Sequence, residues 1–171
     1  MGGGRRVITL LKRRAELPMY IKSAKKRRRA ILRRRRQNRR VVETMDKIRA
    51  LIVDDSSVMR KIVERSLRQA GIELEKVVEA SNGAEALTAL QNNAIDLILC
   101  DINMPVMDGL EFVRQAATVE TAKGIPIVMI TTEGSESHVV QALTAGARGY
   151  IRKPFTPDQV KEHVVPVLGK R

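Results

Sequence analysis

Ile95-Asp96-Leu97-Ile98-Leu99-Cys100 is an apolar run that ends in the carboxylate Asp101. Three other runs also end in polar residues suited to phosphate chemistry. Arg49-Ala50-Leu51-Ile52-Val53 ends in Asp54-Asp55, Ile125-Pro126-Ile127-Val128-Met129-Ile130 in Thr131, and Gly149-Tyr150-Ile151-Arg152 in Lys153. Runs this short, between turn signals and helical stretches, read as parallel strands buried on both faces. In an open parallel sheet, sites form just beyond the carboxyl ends of the strands. The pattern therefore gathers three carboxylates, a hydroxyl and an ammonium at one edge.

Working outward, the spacing predicts a regular alternation after Met45. A strand near 48–53 leads to a helix near 57–70, where Val58, Ile62, Val63, Leu67 and Ala70 form one apolar stripe ended by Gly71. A strand at 75–79 follows, then a helix capped by Ser81, with Glu85 in its first turns, running to Asn92. Next come a strand at 96–100, a loop through Pro105 and Asp108-Gly109, and a helix over 109–118. A strand at 126–131, a helix over 135–145 stopped by Gly146, a strand at 148–152 and a helix over 157–168 opened by Thr156-Pro157 complete the series. Five such β-α units make a doubly wound α/β domain with a five-stranded parallel sheet. No Gly-rich dinucleotide fingerprint and no Walker phosphate loop is present, which removes the main support for nucleotide binding.

Charge divides the chain. Of its 171 residues, the first 44 hold 17 Lys or Arg and two acids, a net of +15, whereas residues 45–171 carry a net of −2. A near-neutral domain thus stands behind a cationic arm, with the boundary at residues 44/45. Like-charge blocks such as Lys25-Lys26-Arg27-Arg28-Arg29 and Arg33-Arg34-Arg35-Arg36 repel, so the arm is expected to be disordered when alone. Residues 20–44 hold no Gly or Pro and can turn helical once an anion neutralises them. Cys100 is the only cysteine, so no intrachain disulfide can form and a reducing, cytoplasmic setting fits. No apolar stretch approaches the roughly 18 residues of a membrane span.

Asp54, Asp55 and Asp101 at one sheet edge repel one another unless a cation joins them. Mg²⁺ suits such a site, accepting carboxylates while keeping water and substrate phosphate oxygens in its shell. Lys153 supplies a second positive charge and Thr131 a hydroxyl donor. Cations and donors around one carboxylate are what phosphoryl transfer onto that carboxylate requires, and Asp101 in the central strand is the acceptor.

These residues bring out a family resemblance. Val53-Asp54-Asp55-Ser56, Asp101-Ile102-Asn103-Met104-Pro105-Val106-Met107-Asp108-Gly109, Ile130-Thr131-Thr132-Glu133 and Gly149-Tyr150-Ile151-Arg152-Lys153-Pro154-Phe155 cover residues 45–171 in order. The domain resembles a response-regulator receiver, specifically the stand-alone, CheY-like chemotaxis type. The resemblance implies a flavodoxin-like sheet of order 2-1-3-4-5. It implies that Asp101 takes a phosphoryl group from the phosphohistidine of a sensor histidine kinase. Asp55 and Asp101 would ligate Mg²⁺ directly, Asp54 through water, and Asn103 through its backbone carbonyl. Lys153 would pair with a phosphoryl oxygen, with the Lys153-Pro154 bond cis. Thr131 would move onto the phosphoryl group and Tyr150 would then swing inward. The helix 135–145, strand 148–152 and last helix would present the switched surface to a downstream target protein, with a flagellar motor switch as the implied partner. Such a chain is a phosphoacceptor that assists its own phosphotransfer and dephosphorylation, not an independent enzyme. Thr132 stands where the family often has Ala or Gly and is expected to narrow access to Asp101. Asn103 and Glu133 stand at positions that tune dephosphorylation.

Plainer readings apply elsewhere. Asp96 begins its strand as a turn residue, and Asp108 serves the turn with Gly109. His138 and His163 lie on different helices and make no metal site. The arm allows two functional readings, binding to the phosphate backbone of nucleic acid and contact with an anionic membrane surface. The first gives the alternative function, a nucleic-acid-binding regulator gated by the receiver. A third reading makes residues 1–44 upstream sequence before a true start at Met45. Deleting residues 1–44 separates the response-regulator reading from the nucleic-acid-binding alternative: signalling survives under the first and fails under the second.

Overall fold

The computed structural model describes Leu32, residues 47–132 and residues 136–169. The chain divides into two units, Met1–Arg36 and Gln37–Arg171, and the sheet lies in the second. The basic arm, apart from Leu32, lies outside the described residues, as do Glu133, Gly134 and Ser135.

Five strands, β1 (Ile48–Val53), β2 (Leu74–Ala80), β3 (Leu97–Cys100), β4 (Ile127–Thr131) and β5 (Gly149–Arg152), form one parallel sheet. Their order is β2-β1-β3-β4-β5, as the resemblance implied. Helices α1 (Ser57–Gln69) and α5 (Pro157–Leu168) cover one face; α2 (Gly83–Asn92), α3 (Gly109–Ala116) and α4 (Glu136–Ala145) cover the other. Alternation within β1 shows why its sequence is apolar throughout. Ala50 and Ile52 face α1 and α5, and Leu51 and Val53 face the other layer, so neither face meets water.

The predicted elements recur within one or two residues, with three differences. Val63, Leu67 and Ala70 are buried, but Val58 and Ile62 are 67% and 44% exposed. At about 100° per residue, the buried face of α1 centres on Val63, Ser66, Leu67 and Ala70, leaving Val58 and Ile62 to one side. The buried Ser66 disguised that phase in the sequence. The cap of α2 is Asn82, whose side chain accepts from the Glu85 amide at 3.0 Å; the Glu85 carboxylate in turn accepts from the Ser81 amide at 2.8 Å. Finally, α3 stops at Ala116 and a 3₁₀ turn over Glu120–Ala122 precedes β4.

Asp96 is more than a turn residue. Its Oδ2 accepts from the Arg49 amide at 3.0 Å and from Arg49 Nε at 2.8 Å, and Oδ1 accepts from Nη2 at 3.0 Å. The Asp96 amide returns a 2.8 Å bond to the Arg49 carbonyl. This fork joins the starts of β1 and β3, so their carboxyl ends stand side by side.

Candidate functional site: an acidic cluster closed by one lysine

Each strand delivers its last residues to the same edge. The Asp101 amide donates to the Val53 carbonyl at 2.8 Å, fixing the end of β3 beside that of β1. The Lys153 amide donates to the Thr131 carbonyl at 2.8 Å, doing the same for β5 and β4. Carboxylate oxygens of Asp54, Asp55 and Asp101 all lie within 4.8 Å of one another. Asp54 and Asp101 are buried and Asp55 is exposed.

Lys153 closes the cluster. Its Nζ lies 2.7 Å from Asp54 Oδ2 and 2.8 Å from Asp101 Oδ2, with the lysine side chain only 11% exposed. Burial opposes the ammonium, yet hydrogen bonds to Asp101 and Asp54 outweigh it and hold its pKa above the ordinary lysine value. Lys153-Pro154 is cis, as expected.

The remaining oxygens are held from the main chain. Asp54 Oδ1 accepts from the Ser56 amide at 2.9 Å and Asp101 Oδ1 from the Ile102 amide at 2.7 Å. Ser56, not the acidic pair, caps α1 through the Met59 amide at 3.3 Å. Gly109 shapes the loop after Asp101, since a Cβ there would stand on the Asp101 carbonyl oxygen. Asp108 caps α3, accepting from the Glu111 amide at 2.8 Å, which keeps it in the structural role expected.

Of the other predicted residues, Thr131 is fully buried at the end of β4, and Thr132 after it is exposed. Asn103 is exposed, two residues past Asp101 on the same loop. Tyr150 is half-buried against the α2–α4 layer, its hydroxyl shielded from solvent. Cys100 is buried; desolvation first, and the nearby Asp101 and Asp54 second, push its thiol well above the usual range, so it is inert. His138 and His163 lie on α4 and α5, and neither belongs to the acidic cluster of Asp54, Asp55 and Asp101.

Sequence reading missed Arg60 and Glu79. Arg60 Nη1 donates to the Asp54 carbonyl at 2.7 Å, and Nε donates to Glu79 Oε2 at 2.7 Å. Arg60 looks like one more surface cation in a helix, and only the pairing of β1 with β2 brings Glu79 to it.

Chemically, three carboxylates against one ammonium leave an excess of negative charge at a water-facing edge made of oxygen donors. That donor set fits a hard divalent cation, Mg²⁺ before a soft metal.

Residues 50–165 match the family described as Response regulator receiver domain. The chemotaxis protein CheY1 of Helicobacter pylori is 46% identical over 123 residues, covering 71% of this chain and 98% of that protein. The solved chemotaxis response regulator CheY4 of Vibrio cholerae is 39% identical with a TM-score of 0.60, covering 67% of this chain and 93% of that one. The receiver domain of the sensor histidine kinase PA1611 from Pseudomonas aeruginosa, solved with a magnesium ion in its active-site cleft, is 25% identical with a TM-score of 0.64. It covers 73% of this chain and all of that one.

Proposed function

This chain belongs to the response-regulator receiver family, and on that premise we propose that it carries a chemotaxis signal by accepting a phosphoryl group on Asp101 with Mg²⁺ at the acidic cluster. The observation that carries the reading is Lys153, poised between Asp54 and Asp101 where a phosphoryl oxygen would need a cation.

In this reading, Asp55 and Asp101 would hold Mg²⁺ directly. Asp54 would act through water, as the resemblance to the family implies. Asn103 adds its main-chain carbonyl. When bound there, Mg²⁺ would supply positive charge against the carboxylates and the incoming phosphoryl oxygens. An Asp101 oxygen attacks phosphorus in line, the phosphorus–nitrogen bond to the kinase histidine breaks, and the imidazole keeps the electron pair. Lys153 exchanges its Asp101 contact for a phosphoryl oxygen, and Thr131 donates its hydroxyl to another. Phosphorylation adds about −1.5 to −2 charges, enough to bias the β4–α4 segment.

The α4–β5–α5 surface then receives the target, in chemotaxis a flagellar switch component. Val140 and Leu143 stand 56% and 48% exposed on α4, apolar side chains suited to such a contact. Among the described residues no helix is long and apolar enough to cross a membrane. No finding favours the nucleic-acid alternative or a membrane contact by the arm.

The test is transfer from an autophosphorylated chemotaxis-type kinase, followed by target binding. Transfer to the wild-type chain and to a Val140→Lys/Leu143→Lys variant, with target binding lost only in the latter, supports the reading. No transfer to the wild type, or undiminished binding by the variant, contradicts it.

A further inference from the structure

Arg60 stands near the start of α1, where a cation works against the helix macrodipole. Its side chain is nevertheless only 15% exposed, whereas the neighbouring Lys61 is 68% exposed. The fork explains the position. Nε is anchored on Glu79 of β2, while Nη1 reaches the carbonyl of Asp54. Lys61 Nζ occupies the other Glu79 oxygen at 2.7 Å, so the anchoring carboxylate is held on both sides.

The carbonyl that Arg60 grips belongs to the peptide unit between Asp54 and Asp55. That unit is planar from one Cα to the next, so fixing its carbonyl fixes where the Asp55 Cα stands and narrows the directions open to its side chain. The Asp54 amide is tied at the same time to the Ala80 carbonyl at 3.1 Å, and its Oδ1 to the Ser56 amide. Asp55, by contrast, is exposed. Without such ties, repulsion among the three carboxylates favours turning it away from Asp101.

We propose that Arg60 is a positioning residue for the metal site: its guanidinium, braced on Glu79, locks the Asp54–Asp55 peptide so that both carboxylates face Asp101 before Mg²⁺ arrives. The inference rests on the reading of these carboxylates as Mg²⁺ ligands. A purely electrostatic role has the opposite sign, because deleting a nearby cation strengthens cation binding. A planar fork also differs from a point charge. Lysine keeps the charge but cannot hold two acceptors in this geometry.

The experiment is calorimetric titration of MgCl₂ into the full chain, as wild type, Arg60→Lys and Arg60→Met. Both variants are expected to bind Mg²⁺ about 5- to 10-fold more weakly. At saturating Mg²⁺ their phosphorylation rates with a small phosphodonor should stay within about twofold of wild type, since the geometry is restored once the ion is bound. Wild-type affinity in Arg60→Lys, or tighter binding by Arg60→Met, would overturn the proposal. So would a lowered metal-free unfolding midpoint with unchanged Mg²⁺ affinity. Should Arg60→Met fail to fold, Arg60→Lys decides by itself. If the wild type takes up no Mg²⁺, the site reading falls and takes this inference with it. If it binds Mg²⁺ and Arg60→Lys binds equally well, the inference alone falls.

Discussion

Lys153 Nζ sits 2.8 Å from Asp101 Oδ2, joining the ends of two strands that are not neighbours in the sheet. The same ammonium reaches Asp54 at 2.7 Å, so one lysine offsets the repulsion of a three-carboxylate edge. Replacing it leaves buried carboxylates without their cation. Lys153→Met is expected to lower stability by about 3 kcal/mol without metal. Mg²⁺ should restore more stability to the variant than it adds to the wild type, because it no longer competes with the ammonium. Urea unfolding with and without MgCl₂ measures both; equal Mg²⁺ gains in the two proteins would refute the competition.

Gly109 permits the turn that returns the chain from Asp101 to α3. Any Cβ there meets the Asp101 carbonyl and the Ile102 backbone, atoms that cannot move aside without moving the site. Gly109→Ala should cost about 2–3 kcal/mol and slow phosphorylation as well. A variant with wild-type stability and rate would show that the loop tolerates displacement.

Val106 is the only non-glycine residue with positive φ among the described residues, at 68°, and it is 87% exposed. The Met107 amide closes a tight turn over it, donating to the Pro105 carbonyl at 2.8 Å. A β-branched side chain is strained there and gains nothing from burial. Val106→Gly should raise stability by about 1 kcal/mol, strain relief exceeding the entropy of the freer unfolded chain. A lower urea midpoint in the variant would contradict this.

Arg60 first, and Lys61 second, hold the Glu79 carboxyl below the usual carboxylate range. The unfolded chain therefore binds more protons at Glu79 than the folded one in that window. The stabilisation is complete above about pH 4.3 and is lost as pH falls through the depressed folded value. Unfolding midpoints of wild type and Glu79→Gln should differ at neutral pH and converge on acidification. A gap that stays constant down to about pH 3 would exclude the linkage.

The sequence disclosed those features that depend on chain-local pattern. Apolar runs mark the strands, and the rule that sites form beyond their carboxyl ends joins Asp54, Asp55, Asp101 and Lys153. Thr156-Pro157 announced α5, whose capping box is complete. Features set by neighbours in space were hidden. Arg60 depends on β2 delivering Glu79 beside it. The face of α1 turns on Ser66, a polar residue buried by its neighbours. Asp96 looked like a turn because its partner Arg49 is 47 residues away. Ser81 and Asn82 are both good caps, and the choice between them is made by where Glu85 folds back.

The most direct measurement is the intact mass of the chain after incubation with Mg²⁺ and a small phosphodonor, beside Asp101→Asn. The account expects one added phosphoryl group in the wild type, none in the variant, and none in the wild type when a chelator is present first. Equal gains in wild type and Asp101→Asn, or no gain where a known receiver responds, would contradict it.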